Sequence, residues 1–272
     1  MPSGYKAEIN KKEFVKLYTE LKSIKAISKR LRYNAKTIRK FISKNNIKIL
    51  RKTIYNCNED YFANDTPEVF YWAGFIAADG CVMRKKRDYT FVFKVTLAKQ
   101  DKKHLEKLKL ALGATNPIKD YCIIYKGAKT YASELTIYSR KMCQDLFRFG
   151  IIPKKSLVLK FPTWLIDHPF VHHFIRGYID GDGCFSKRIQ KGRSIAQYSF
   201  SIRGTPEFLT CLYKIVDKKC FNIERDKKIT MTKNIGGIGY SGNNVVKEIA
   251  KFLYENATEY LDRKYNKIEH FL

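Results

Sequence analysis

The chain has 272 residues, of which 44% are apolar, and its 53 Lys and Arg outnumber its 26 Asp and Glu to give a net charge of +27. This composition supports one large domain or two to three smaller ones, and it excludes a disordered chain. So large a positive excess repels itself in a compact fold, which predicts a polyanionic partner such as nucleic acid. A basic structural protein of the ribosomal type is the alternative.

Other broad classes are disfavoured by simple features of the sequence. No apolar run approaches the roughly 20 residues of a membrane span, and the segment MPSGYKAEINKKEF has no apolar signal core. We therefore expect no membrane association and a cytoplasmic location, or the nucleus or an organelle in a eukaryotic host. The seven cysteines form no CxxC pair, which argues against a zinc site and against a disulfide framework.

Residues 1–50 are predicted to form a small all-α module, followed by a linker over residues 51–65. Apolar residues recur at helical spacing on both sides of a break near Arg32, and Asn34 is placed to cap the helix after it. This pattern resembles a helix-turn-helix, although many three-helix modules share it without binding DNA, and the turn position held by Arg32 often favours glycine. The residues predicted to face DNA are Lys36, Thr37, Arg39 and Lys40.

The rest of the chain contains an internal repeat, with a first copy over residues 66–163 and a second over residues 164–272. Two apolar segments end on an Asp-Gly pair, and the two acids, Asp79 and Asp182, are 103 residues apart. A proline precedes each segment, with Thr66 and Asp167 as possible helix caps. Because a glycine follows each acid, we expect a left-handed helix cap there.

Each copy has the order helix, two strands, helix, two strands, helix. The segments TFVFKVTL and QYSFSIRG alternate apolar and polar residues, as strands with one buried face do. The sequence therefore predicts an α+β fold in which helices cover one face of each antiparallel sheet. The other face is left open and is polar and basic.

Small residues four apart suggest how the two apolar helices meet. Gly74 and Ala78 share one stripe of the first helix, as Gly177 and Gly181 do in the second, so the backbones can approach closely. Packing along this stripe brings the two acids together at the helix ends, where each is disfavoured by the helix dipole and by its like-charged neighbour. A single Asp-Gly would read as a solvated helix end, but the doubled arrangement predicts a Mg²⁺ site for phosphodiester cleavage.

The segments WAGFIAADG and IRGYIDGDG, residues 72–80 and 175–183, resemble the two motifs of a LAGLIDADG homing endonuclease of the monomeric type. The resemblance implies a pseudo-twofold pair of αββαββα units with saddle-like antiparallel sheets, packed through the two motif helices. It implies an endonuclease that makes a Mg²⁺-dependent double-strand break, with Mn²⁺ able to substitute, in a long and largely asymmetric DNA site. By the same resemblance Asp79 and Asp182 are the catalytic acids and bind the metal, assisted by the carbonyl groups of Ala78 and Gly181.

The family also places basic residues near its active site. The segments GIIPKKS and YLDRKYNKI are similar to family segments, which makes Lys155 and Lys264 the catalytic candidates, with Lys154 as the alternate. Plain phosphate contact or a solvated surface position is an equal alternative for each lysine. The chain departs from the family at the sixth motif position, where Ala77 replaces a frequent acid; Asp180, its counterpart, is interpreted as structural.

The open faces of the sheets are predicted to contact double-stranded DNA. Strand alternation places one set of polar residues where they can read base edges, and the hairpin tips are basic and suited to phosphates. The base-reading candidates are Thr90, Lys94, Thr96, Gln197, Ser199, Ser201 and Arg203. The phosphate-contact candidates are Arg84, Lys85, Lys86, Arg87, Lys187, Arg188, Lys191 and Arg193.

Two other functions remain open. A LAGLIDADG scaffold can bind DNA or RNA without cleaving it, as a transcription factor or an intron maturase, and the front module suits that role. Retention of both acids argues against it. A nuclease embedded in an intein is a weaker possibility, because the chain begins at Met1 and shows no splicing-type cysteine or His-Asn ending.

Overall fold

The computed structural model describes residues 9–21, 23–47, 55–84, 90–125, 127–189 and 195–272. The chain divides into two compact units, Met1–Ile54 and Tyr55–Leu272. Within the described residues no helix is long and apolar enough to cross a membrane. Five of the predicted phosphate contacts lie outside the described residues, namely Lys85, Lys86, Arg87, Lys191 and Arg193.

The smaller unit contains three helices: α1 (Lys11–Leu21), α2 (Ile24–Leu31) and α3 (Ala35–Lys44). Phe14, Ile27 and Ile38 are fully buried at its centre. The Asn34 side chain accepts from the Thr37 amide at 2.8 Å, which confirms the predicted cap of α3. Arg32 has a φ of 54°, so it adopts the left-handed conformation that a glycine would occupy more easily.

The larger unit contains two copies of one arrangement. The first copy consists of α4 (Pro67–Asp79), β1 (Gly80–Arg84), β2 (Phe91–Ala98), α5 (Lys102–Ala111), β3 (Lys119–Tyr125), β4 (Ala128–Ile137) and α6 (Arg140–Asp145). The second consists of α7 (Val171–Asp182), β5 (Gly183–Arg188), β6 (Gln197–Gly204), α8 (Pro206–Phe221), β7 (Thr230–Thr232), β8 (Ile235–Ser241) and α9 (Asn243–Tyr254). A last short helix, α10, spans Asp262–Tyr265.

Each copy forms a four-stranded antiparallel sheet, ordered β1-β2-β4-β3 in the first and β5-β6-β8-β7 in the second. The registers of the two sheets are equivalent, because Gly80 pairs with Val95 in the first and Gly183 pairs with Ile202 in the second. One face of each sheet is buried, as Phe93 and Phe200 illustrate. The α+β prediction with helices on one sheet face is therefore confirmed.

Helices α4 and α7 pack against each other at the centre of the larger unit through their small residues. A Cβ on Gly74 would overlap the Phe174 carbonyl oxygen, and one on Gly177 would overlap that of Tyr71. A Cβ on Gly181 would likewise overlap the side chain of Ala78. Backbone therefore lies directly against backbone along the predicted stripe.

Two details of the helix ends differ from expectation. Gly80 and Gly183 have φ values of −86° and −83°, so neither is a left-handed cap. Glycine is needed there for space, because a Cβ would lie 2.7 Å from the carbonyl oxygen one turn back, at Ile76 or Ile179. Thr66 caps α4 as predicted, but Asp167 does not cap α7.

The start of α7 shows why the second cap was misplaced. This helix begins at Val171, four residues after Asp167, so the predicted cap stands too early in the chain. No described side chain caps α7; in the turn before it the His168 ring nitrogen Nδ1 accepts from the Phe170 amide at 3.2 Å.

The segment before α4 belongs to the larger unit. We expected residues 51–65 to be a linker, but within the described part Tyr61 and Phe62 are buried in the core of the larger unit. The Asn58 amide also donates to the Leu112 carbonyl at 2.9 Å, which ties this segment to the end of α5.

We expect Gly74→Ala to destabilise the larger unit by about 3 kcal/mol, the upper end of the usual cost of overpacking, because the added methyl group forces two backbones apart. The measurement is the free energy of unfolding in denaturant. Gly239→Ala is the matched control, since a Cβ there would meet nothing closer than 3.6 Å. Equal stability of the two variants would contradict close backbone packing between α4 and α7.

Candidate active site and nucleic-acid interface

The two acids lie at adjacent helix ends because the packing of α4 and α7 fixes both helices. Nine consecutive residues of α4, Val69 to Ala77 along the helix, are buried, so this segment has little freedom to shift. The Asp79 oxygen Oδ2 lies 3.4 Å from the position that a Cβ on Gly181 would occupy. The Asp79 carboxylate therefore rests against the end of the partner helix, beside Asp182.

Both carboxyl groups hold their protons more strongly than usual. Desolvation, followed by the negative charge of Asp182, raises the pKa of Asp79 to about 6. Desolvation also raises the pKa of Asp182, where Lys155, Lys264 and the Tyr178 hydroxyl act in the opposite direction. Both side chains reach solvent, so a cation could approach them from outside.

A buried lysine accompanies each acid. Lys155 Nζ donates to the Ala78 carbonyl at 3.1 Å, and Lys264 Nζ donates to the Gly181 and Ile179 carbonyls at 2.8 Å each. Desolvation lowers the pKa of both lysines, to about 8 for Lys264. A cation at a helix C-terminus is favourable, so these lysines partly offset the two acids.

The structure brings together the four residues predicted to be catalytic and separates them from the alternate. Lys155 is 6% exposed and Lys264 4% exposed, and their charges act on both acids. Lys154 is exposed and has a φ of 63° in the turn before Lys155. The lysine that contacts the end of α4 is therefore Lys155.

The donor set at this site suits a hard divalent cation. Two carboxylates lie beside the carbonyl groups of Ala78 and Gly181, and each carbonyl accepts one hydrogen bond from a lysine, which leaves one lone pair. Crowded carboxylates with raised pKa values are relieved by a cation such as Mg²⁺. The described residues contain no group of three or more His, Cys, Asp or Glu side chains that could hold a metal ion. Further oxygen ligands would therefore come from water or from a bound phosphate.

Asp180 anchors the segment that carries Lys264, which agrees with its interpretation as structural, although sequence analysis did not identify its partners. It is fully buried and accepts hydrogen bonds from the hydroxyls of Tyr71 and Tyr254 and from the Leu261 amide, at 2.8, 2.6 and 2.8 Å. The Leu261 carbonyl in turn accepts from the Lys264 amide at 2.9 Å. The hydrogen bonds of Asp180 therefore fix the turn that directs Lys264 towards the acids.

Two further buried groups support this segment. Arg176 is 1% exposed and donates to the carbonyls of Leu253 and Glu259, both at 2.9 Å. His104 Nε2 lies 3.0 Å from the Tyr71 hydroxyl, and burial lowers the pKa of His104 to about 3, so this ring is neutral. Because the Tyr71 proton goes to Asp180, His104 is the donor to Tyr71.

The open face of the first sheet carries an acid that sequence analysis missed. Lys94 pairs with Glu134 at 3.2 Å, and the Thr96 and Thr136 hydroxyls donate to the same carboxylate at 3.4 and 2.8 Å. Lys94 and Thr96 lie on the predicted face, but they are engaged with Glu134. Only the pairing of β2 with β4 brings these residues together, so spacing within β2 could not reveal the cluster.

The remaining interface candidates are distributed as follows. On the second sheet Gln197, Ser201 and Arg203 are exposed and Ser199 is half-buried, while Thr90 is half-buried just before β2. Arg84 and Arg188 are exposed at strand ends, and Lys187 lies on the same face as Tyr198, 5.8 Å from its ring. On α3 Lys36, Arg39 and Lys40 are exposed, whereas the Thr37 hydroxyl donates to the Asn34 cap at 3.1 Å.

The raised pKa of Asp79 predicts a specific dependence of stability on pH. A carboxyl whose folded pKa is about 6 binds more protons folded than unfolded between about pH 4 and pH 6, so stability falls as pH rises through this window. In buffer with a chelator, Asp79→Asn should therefore be more stable than the parent at pH 7.5. After allowance for solvent exposure the gain is about 1 kcal/mol.

The gain from Asp79→Asn should disappear near pH 4, where the parent carboxyl is protonated. The measurement is thermal or denaturant unfolding from pH 4 to pH 8. Asp226→Asn serves as the control because that side chain is 94% exposed. A loss of stability in Asp79→Asn at pH 7.5 would show that its negative charge stabilises the fold.

Comparison with known proteins identifies the fold. The solved structure of the homing endonuclease I-WcaI bound to its DNA recognition sequence matches with a TM-score of 0.55 at 15% identity, over 77% of this chain and 91% of that one. A double mutant of I-SmaMI matches with a TM-score of 0.50 at 15% identity, over 76% of this chain and 90% of that one. No family model matches the chain.

A curated relative shares only part of its length with the chain. A probable translation initiation factor IF-2 of Methanocaldococcus jannaschii is 30% identical over 205 residues, which cover 69% of this chain. The chain spans 16% of that protein. Identity to the solved structures is low, so their similarity establishes the fold: the chain adopts the fold of the LAGLIDADG homing endonucleases.

Proposed function

We propose that this protein is a LAGLIDADG homing endonuclease that makes a Mg²⁺-dependent double-strand break in a long, largely asymmetric DNA site. One observation carries the proposal. Asp79 and Asp182 lie together at the ends of packed helices, and each helix end also holds a buried lysine. Such a cluster is electrostatically unfavourable for folding alone, whereas it suits a metal site for phosphodiester cleavage.

The acids and the lysines divide the chemistry between them. Asp79 and Asp182, with the carbonyls of Ala78 and Gly181, would hold Mg²⁺, which when bound polarises a phosphoryl oxygen and lowers the pKa of water. Lys155 and Lys264 place positive charge where the scissile phosphate gains negative charge. With a pKa of about 8, Lys264 can also exchange a proton near neutral pH.

DNA would lie across the open sheet faces, with the acids between the two halves. The net charge of +27 supplies the attraction for a phosphate backbone. The two open faces differ in sequence. Lys94 and Glu134 form an ion pair on the first sheet, whereas serine and arginine are the main side chains on the described part of the second. Different faces read different half-sites, which is why the target is proposed to be asymmetric.

The alternative is a DNA- or RNA-binding protein that does not cleave, such as a transcription factor or a maturase. Such a protein would gain nothing from two acids with raised pKa values at adjacent helix ends. The relative named as a translation initiation factor gives no ground for a role in translation, because the match covers 16% of that protein.

Cleavage can be tested by incubating the protein with a library of randomised or host-derived duplexes and sequencing the cut molecules. We expect cleavage at a defined long site with Mg²⁺ and none with a chelator. Asp79→Asn and Asp182→Asn should each lower the cleavage rate at least about 100-fold, because each removes a ligand of the proposed cation.

Asp226→Asn is the matched control and should cut as the parent does. Binding without cleavage by the parent protein in Mg²⁺ would support the non-cleaving alternative. Parental cleavage rates in both acid variants would show that the active site lies elsewhere.

The three-helix unit is proposed to add DNA contacts through α3. The double variant Arg39→Ala/Lys40→Ala should weaken binding to the selected duplex about three- to tenfold and flatten its salt dependence, because two phosphate contacts are lost. Affinity is measured at several salt concentrations without Mg²⁺. Lys11→Ala/Lys12→Ala removes the same charge from exposed positions on α1; equal losses in both variants would refute a specific role of α3.

A further inference from the structure

Two glycines on β8 are not required by the fold. Neither Gly237 nor Gly239 has a positive φ, and a Cβ there would meet nothing closer than 3.7 Å and 3.6 Å respectively. Their neighbour Gly236 differs, because a Cβ would lie 2.6 Å from the Ile229 side chain. Glycine weakens a strand interior and often marks a place where a ligand or another backbone approaches closely.

The first repeat shows that side chains are tolerated at the equivalent positions. In the first sheet Thr96 pairs with Glu134 and Lys94 with Thr136. By the shared register these pairs correspond to Arg203 with Gly237 and to Ser201 with Gly239 in the second sheet. Glu134 and Thr136 therefore occupy the positions that the two glycines hold in the second copy.

The difference between side chains on β4 and glycines on β8 makes the open face of the second sheet lower than that of the first. On the first sheet Glu134 is surrounded by Lys94, Thr96 and Thr136 in a raised, internally paired cluster. On the second sheet the same area is bare backbone, which we name the glycine floor (Gly237 and Gly239). Ser201 and Arg203 stand beside it.

The surroundings of the glycine floor suit base edges better than phosphates. Hydroxyl groups of Ser199, Ser201 and Ser241 share its face, and no acidic side chain lies on the described part of that face. Within the described residues the Arg203 side chain has no hydrogen-bond or ion-pair partner, so its donors are available. Affinity for phosphates comes mainly from Lys and Arg side chains, whereas Arg203 stands here among neutral hydroxyls. Arginine and serine side chains can both read base edges in the major groove.

We infer that the glycine floor is where base pairs of bound DNA come closest to the protein, and that Arg203 and Ser201 read these base pairs. The inference rests on the proposed DNA-binding function and deepens it. DNA would approach the second sheet more closely than the first at equivalent positions. The half-site over β8 would therefore tolerate fewer changes in groove shape.

The test uses Gly237→Ala, Gly239→Ala and Gly239→Thr in the full chain, the last of which copies the first repeat. Thermal unfolding without DNA should give melting temperatures equal to or above that of the parent, because the new side chains meet open space. Gly236→Ala should melt at a lower temperature. Affinity is then measured without Mg²⁺ on the duplex recovered by the cleavage selection and on a scrambled duplex of equal composition.

We expect each alanine variant to lose about tenfold in affinity for the recovered duplex, the threonine variant to lose more, and all three to bind scrambled DNA as the parent does. Relaxed base preference in duplexes selected by Gly239→Ala should be confined to one half of the target. Parental affinity in a stable variant, or a lowered melting temperature, would overturn the inference while leaving the nuclease proposal intact. Failure of the parent to bind or cut any duplex would overturn both.

Discussion

The contact between the backbones of α4 and α7 is the constraint on which the larger unit depends. Gly74 and Gly177 each face a carbonyl oxygen of the partner helix with no room for a methyl group. Once these helices touch, the ends at Asp79 and Asp182 must meet, and the sheets that begin immediately afterwards at Gly80 and Gly183 are placed on either side. The contact between α4 and α7 therefore positions both the two acids and the open faces of the two sheets.

The two halves share a frame but stabilise their helix ends differently. Asp180 accepts hydrogen bonds from Tyr71 on α4, Tyr254 on α9 and the Leu261 amide before α10, which tie these three segments to α7. Its counterpart Ala77 is simply buried. The Tyr178 hydroxyl acts to lower the pKa of Asp182, while the equivalent Phe75 offers Asp79 no hydroxyl. This difference explains why Asp79 is the acid with the less compensated charge.

The order of elements and the meeting of the acids were predictable because both depend on local periodicity and on a repeat. The helix caps were predictable only in part, since Thr66 follows a general rule whereas α7 begins without a cap from any described side chain. Glu134 and the Asp180 hydrogen bonds were not predictable. Their partners lie on other strands and helices, and spacing along one element carries no information about them.

The charged groups at the ends of α4 and α7 are only partly compensated within the folded protein. Lys155 and Lys264 have lowered pKa values and the two acids raised ones, so all four groups are held away from the ionisation that water would favour. Lysines at helix C-termini offset part of this free energy, but within the described residues no hydrogen-bond donor contacts the Asp79 carboxylate. A site that remains electrostatically incomplete in the folded protein is one that a cation and a phosphate can complete, and selection for stability alone would have removed it.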